Sequence, residues 1–241
     1  MTTPGSPRYA APIDDRLRSI QAWQDRFRDP GLTVLLVVQL CLIFLAEPLA
    51  AKGLPIARQA GEALVLAVVV IVVMLSRNRG AIALMALGMA ATLASFSLGW
   101  ALSPSTISVL RRGGDVVSFS AVTWVVARAV FAPGRITSHR LQGAAVVYLN
   151  IATIFSAAFT LIWELSPTAF ANFAPPSDDL GEMATMLYFS LTTLTTTGYG
   201  DIVPVDPFAR GLANLESVLG QFYLAITVAR LVTLELAGRR R

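Results

Sequence analysis

Long apolar runs separated by short polar connections dominate the chain. They fall at Leu32–Ala51, Ala60–Leu75, Gly80–Leu102, Val116–Phe131, Leu141–Leu165 and Leu212–Leu236. Runs of about 20 apolar residues are what a helix needs to cross the hydrocarbon core of a bilayer. The pattern predicts an all-α membrane protein with six transmembrane helices. Ahead of the first run, Ile13, Leu17, Ile20, Trp23 and Phe27 recur at spacings of 4, 3, 3 and 4 among arginines and aspartates. That is one apolar face of a helix, lying on the inner leaflet with Trp23 as its anchor or packed against the protein's own body. Another segment, Leu180–Thr195, has a helical pattern but is too short to cross, and Asp178, Asp179 and Glu182 cluster at its start, as suits a helix N-terminus.

The pattern divides the chain into a cytoplasmic segment with an amphipathic helix (residues 1–30), a four-helix transmembrane domain (31–133), a Pro/Gly/Arg linker (134–140) and a last unit (141–241). Charged residues make up 14% of the chain, against roughly 25% in a typical soluble domain. Soluble classes are thereby excluded. Arginine placement sets the orientation. With the N-terminus inside, the inner segments hold Arg8, Arg16, Arg18, Arg26, Arg28, Arg77, Arg79, Arg135, Arg140 and Arg239 to Arg241, and the outer ones only Lys52, Arg58, Arg111, Arg112 and Arg210. Both termini are then cytoplasmic and the protein is multi-pass in the cell (inner) membrane. The net charge of +4 reports topology, and no nucleic-acid partner is expected. The polar residues before the first run are too many for a signal peptide, so none is expected to be cleaved. Cys41, the single cysteine, permits no intrachain disulfide.

Between the last two runs stands T-L-T-T-T-G-Y-G-D-I-V-P-V-D-P, Thr193 to Pro207. A short helix that enters a membrane and returns as extended chain is tolerated only where it is buried in protein or lines a watery path. Gly198 and Gly200 alternate with Thr197 and Tyr199, and glycine reaches backbone conformations closed to other residues. Such alternation turns successive carbonyls toward one axis. Four such strands around the axis would stack rings of oxygen that replace the water around a cation.

T-T-G-Y-G-D resembles the selectivity filter of potassium channels, usually T-V-G-Y-G, with the pore helix L-Y-F-S-L-T-T-L-T before it and an aspartate after it. In plan the chain resembles a bacterial six-transmembrane potassium channel of the tetrameric cation channel superfamily. The resemblance implies a homotetramer in membrane lipid that conducts K+ passively and catalyses no reaction. It implies ion binding by the carbonyls of Thr196, Thr197, Gly198 and Tyr199, with Gly200 completing the filter, the Thr196 hydroxyl below and Tyr199 bracing from behind. No cofactor is implied beyond permeant potassium. Two departures stand out: Thr197 replaces the usual valine, and Thr192 stands where some members carry a glutamate that pairs with the aspartate after the filter. Asp201 then turns to Tyr188 or to a neighbouring subunit. The last run resembles bacterial inner helices, with Gly220 at a hinge or close-packing position and Gln221, Leu224, Val228 and Val232 on a cavity face. Asp178, Asp179, Glu182, Asp201, Asp206 and Glu216 read as an acidic outer mouth, in part ordinary helix capping.

The plan resembles voltage-gated channels, but a sensor needs several arginines at every third position. The fourth run has only Arg128, placed to reach the inner interface. Arg111 and Arg112 read as loop residues beside Gly113 and Gly114, Glu62 sits near an edge of the second run, and Glu164 and Glu235 sit at span ends within reach of water. His139 reads as a solvated linker residue. No ligand-binding domain is expected after the sixth span. The rival readings are a voltage-gated potassium channel with a degenerate sensor, and a non-conducting or uptake-system potassium channel subunit.

Overall fold

The computed structural model describes residues 31–46, 79–98, 100–131, 138–174 and 179–239, with positions 48, 49, 52, 68, 71 and 76. Among the described residues, six helices follow one another: α1 (Gly31–Ala46), α2 (Arg79–Ser97), α3 (Pro104–Val130), α4 (Ser138–Leu165), α5 (Asp179–Leu194) and α6 (Pro207–Arg239). The last turn of α1, Leu42–Ala46, is π-helical. Among the described residues, two short strands, β1 (Phe170–Ala171) and β2 (Val203–Pro204), pair antiparallel with Phe170 opposite Pro204. Most of the second apolar run, the expected amphipathic helix of residues 1–30 and residues 134–137 of the linker lie outside the described residues. Among the described residues, His139–Leu165 and Pro207–Arg230 are long and apolar enough to cross a membrane; Gly31–Ala46 and Arg79–Ser95 are shorter apolar helices.

Local sequence sets the helix starts. Ser103 caps α3, its Oγ accepting from the Thr106 N–H at 3.3 Å, and Pro104 occupies the first turn, where a missing N–H costs nothing. Asp206 caps α6 the same way, with Oδ1 accepting from the N–H groups of Phe208 and Ala209 at 2.8 and 3.2 Å. Asp206 is thus a capping residue.

The early start of α3 corrects one expectation. Arg111, Arg112, Gly113 and Gly114 are helical, not loop residues. The glycine pair leaves the helix intact because Gly114 meets α2. A Cβ on Gly114 would lie 2.6 Å from the Gly88 carbonyl oxygen, and one on Gly88 would lie 2.6 Å from that of Gly114. Two helices can approach so closely only where both lack side chains.

An aliphatic core of Leu32, Leu35, Met85, Val122, Val126 and Val146 binds α1 to α4 together. Inside it, Gln39 Nε2 donates to Asn150 Oδ1 at 2.7 Å, joining α1 to α4. His139, expected as a solvated linker residue, instead begins α4, with Nδ1 2.6 Å from Thr33 Oγ1. A second core is aromatic. Phe159, fully buried, sits edge-on to Phe189 (centroids 5.0 Å apart) and Phe170 (6.0 Å), so α4, α5 and β1 share one cluster.

Two further polar contacts tie the front helices to the last unit. Arg112, 1% exposed, donates from Nε and Nη2 to Glu164 Oε1 at 2.9 and 2.8 Å; Arg111 Nη2 reaches the same oxygen at 3.0 Å. Glu164 is therefore an ion-pair partner inside the protein, not a span-end charge turned to water. At the opposite end of α3, Arg230 Nη2 of α6 donates to the Phe131 carbonyl at 2.7 Å and lies over the Phe131 ring.

Candidate functional site: the pore loop

Helix α5 ends at Leu194, and the chain that follows is held by that ending. The Thr192 carbonyl accepts from the N–H groups of Thr197 and Gly198 at 2.8 and 3.1 Å, and the Thr193 carbonyl accepts from the Thr196 N–H at 3.0 Å. The threonine-rich strand is thus hung from the last turn of a helix, whose carbonyl end carries partial negative charge. That polarity favours a cation beside it.

Backbone handedness then alternates. Thr196, Gly198 and Gly200 have φ of 58°, 55° and 77°, while Thr197 and Tyr199 between them do not. A β-branched residue in the left-handed region is strained, by about 1–3 kcal/mol where the surroundings hold it there. Thr196 is such a residue. The hydrogen bonds to Thr192 and Thr193 fix the turn that imposes this, and alternating handedness presents successive carbonyls to one side.

Side chains complete the loop. The hydroxyl of Thr197, where valine is usual, lies 2.9 Å from Thr195 Oγ1, so the added polar group is satisfied; Thr195 Oγ1 in turn donates to the Leu191 carbonyl. Thr192 Oγ1 donates back to the Phe189 carbonyl at 2.9 Å, so its side chain serves its own helix while its carbonyl serves the strand. Gln221 Nε2 approaches the Thr196 hydroxyl at 3.4 Å. Tyr199 is 70% exposed and stacks at 4° on Tyr188, with centroids 6.2 Å apart.

Asp201 meets Tyr188, whose Oη donates to Oδ2 at 2.7 Å. This bond holds the Asp201 carboxyl below its ordinary range and pushes the Tyr188 phenol up to about 12. The signs fix a window. The aspartate side is intact above pH ~4 and is lost as pH falls through the lowered pKa. The phenol side is intact below pH ~10 and is lost as pH rises through about 12. Between pH 5 and 9 the protonation of this pair is expected not to change. In Tyr188→Phe the acid transition should move upward toward the ordinary aspartate value. Following the Asp201 carboxyl by NMR as pH is lowered, in both proteins, checks this.

Behind the strand, α6 packs directly against the end of α5. A Cβ on Gly220 would lie 2.4 Å from the Leu194 carbonyl oxygen, and α6 runs unbroken through this residue. Gly220 is thus a point of close approach. Ser217 Oγ donates to the Thr193 carbonyl at 3.2 Å, and Tyr148 Oη of α4 to that of Leu194 at 3.3 Å. Gln221, Leu224 and Val228 are exposed; the side chain of Val232 lies outside the described residues.

Glu216 does not stand at an acidic mouth. It is fully buried, with Ser190 Oγ of α5 donating to Oε1 at 2.5 Å and also contacting the Ala152 carbonyl. Sequence reasoning missed Ser190, Ser217 and Tyr148, since serines and tyrosines within apolar helices announce no partner. Glu216 did carry a signal: an acid within an apolar span marks a buried polar contact by default. Of the remaining mouth acids, Asp178 lies outside the described residues, as does the side chain of Asp179, and Glu182 is half-buried on the first turn of α5.

Residues 143–235, from α4 through most of α6, match the ion channel family. The potassium voltage-gated channel protein shk-1 of Caenorhabditis elegans is 33% identical over 79 residues, covering 33% of this chain and 15% of that relative. The inward rectifier potassium channel Kirbac3.1 of Paramagnetospirillum magnetotacticum is 35% identical over 49 residues, 20% of this chain and 17% of that relative. The chain thus spans less than a fifth of either curated relative. No solved structure matches it significantly.

Proposed function

We propose that this chain is a subunit of a homotetrameric, potassium-selective channel with six transmembrane helices, set in the inner membrane with both termini cytoplasmic. The family match and the two potassium-channel relatives support an ion channel of the potassium-channel superfamily, a membrane protein that moves ions rather than an enzyme. The observation that carries the finer reading is the alternation of left-handed backbone at Thr196, Gly198 and Gly200 on a strand fixed to the end of α5. One such strand offers a cation a single column of oxygens. Four around an axis enclose it, and selectivity is then the exchange of hydration water for carbonyls.

The exposed surface fits the same assembly. α6 presents Leu215, Leu219, Phe222 and Ile226 outward, more apolar area than one chain covers. Lipid and neighbouring copies would share that face. Conventional voltage gating is not part of the proposal. The arginines of α3 stand at 111, 112 and 128, far from an every-third-position ladder, and Arg112 is held by Glu164.

Current from purified protein in a planar bilayer, under opposed potassium and sodium gradients, tests the reading. A reversal potential near that of potassium and opening that is flat against voltage are expected. A reversal potential near zero would remove selectivity. Current rising steeply on depolarisation would return a sensor to the first four helices. Absence of current in every condition would favour a subunit that depends on a partner.

A further inference from the structure

Glu216 lies fully inside a single chain, at 0% exposure, so no neighbouring copy can touch it. Among the described residues no arginine, lysine or histidine pairs with it. Its Oε2 is buried without a hydrogen-bond partner, and its Oε1 meets one group, Ser190 Oγ of α5, at 2.5 Å. A carboxylate so placed has lost its hydration and gained one hydrogen bond, which does not offset burying a charge.

The hydrogens also decide against a carboxylate. Ser190 Oγ lies 2.8 Å from the Ala152 carbonyl of α4 as well. A hydroxyl has one hydrogen to give and two lone pairs with which to accept, and a carbonyl can only accept. With Glu216 ionised, Ser190 stands between two acceptors, and one of its two contacts has no hydrogen. With Glu216 as a carboxylic acid, each contact has its own. Nearby donors do not fill the gap: Tyr148 gives its hydrogen to the Leu194 carbonyl and Ser217 to that of Thr193.

We propose that Glu216 is a neutral carboxylic acid and a positioning residue of the pore loop. Its Oε1–H donates from α6 to Ser190 Oγ of α5, and the Ser190 hydrogen goes on to the Ala152 carbonyl of α4. Three helices are fastened at one point by hydrogens that all run the same way. Ser190 stands two residues before Thr192, whose carbonyl holds the N–H groups of Thr197 and Gly198, and one turn before Leu194, against which Gly220 packs. The height and rotation of α5 at Ser190 therefore pass directly into the strand that follows it. The proton assignment needs only one chain; its effect on current rests on the channel reading.

Infrared difference spectra of the purified full chain at neutral pH, in a detergent without ester groups, test the proposal. Wild type minus Glu216→Gln should show the carbonyl stretch of a protonated carboxyl. Ser190→Ala should shift that band upward, because the acid hydrogen loses its acceptor. Thermal unfolding and bilayer current give a second readout. Glu216→Ala should lower both the unfolding temperature and the potassium current. Glu216→Gln should restore both, since its Nε2–H takes the place of the acid hydrogen. A wild-type spectrum without the band, a band that persists in Glu216→Gln, or one that Ser190→Ala leaves unmoved would overturn the proposal. So would a Glu216→Gln protein as damaged as Glu216→Ala. The band together with no potassium current from the wild type would remove the channel reading and leave the proton on Glu216.

Discussion

Gly198→Ala is expected to abolish potassium current while leaving a folded, assembled protein. The reason is backbone conformation, not space. A Cβ at residue 198 would meet nothing within 4 Å in the chain, but φ there is +55°. A residue with a Cβ pays roughly 1–2 kcal/mol in the left-handed region, hence roughly 4–8 kcal/mol around the proposed ring of four. Relief comes by flipping the peptide, which turns an oxygen away from the ion path and breaks the column. Gly211→Ala is the control. It also meets nothing within 4 Å, but it is helical, so alanine there should be neutral or slightly stabilising. Bilayer current and size-exclusion profiles of both variants decide the matter. Undiminished, selective flux in Gly198→Ala would mean that ions take another path.

The second large effect is expected at the junction of α3 and α4. Arg112→Ala should destabilise the chain by about 3–5 kcal/mol, the usual result of removing one partner from a buried pair. It leaves Glu164, whose side chain is 10% exposed, with Arg111 as its remaining close cation. Arg112→Lys keeps the charge but loses the fork that delivers Nε and Nη2 to one oxygen, and should fall between. Arg112→Met combined with Glu164→Gln should recover part of the loss, since removing both charges also removes their desolvation cost, while Arg111 and Asp115 each lose one charged contact. Thermal unfolding in detergent measures all three. A double variant no better than Arg112→Ala would show that side-chain packing, not charge, is what Arg112 supplies.

The pore loop was the most legible part of the sequence because its signals are local. The short apolar segment read as Leu180–Thr195 is a helix at Asp179–Leu194, and the last run lies within α6. Glycine alternation foretold alternating backbone handedness, though not that Thr196 would share it. What the sequence hid depends on partners far along the chain. The Gly113-Gly114 pair reads as a turn until Gly88 stands against it; Arg111 and Arg112 read as loop charges until Glu164, more than 50 residues later, lies beside them. Glu216 was read as solvent-facing for the same reason, since Ser190 belongs to a different helix.

The packing of Gly220 has a mechanical consequence. Between its cap at Asp206 and the contact with Leu194, α6 is fastened at Glu216, Ser217 and Gly220 to the helix that carries the pore loop. Beyond Gly220 the described ties are few: Gln221 reaches the Thr196 hydroxyl, Tyr223 donates to the Ala144 carbonyl and Arg230 to that of Phe131. One helix is therefore a fixed post up to Gly220 and a more lightly held arm beyond it. Its farthest described tie is the Arg230 bond to the end of α3.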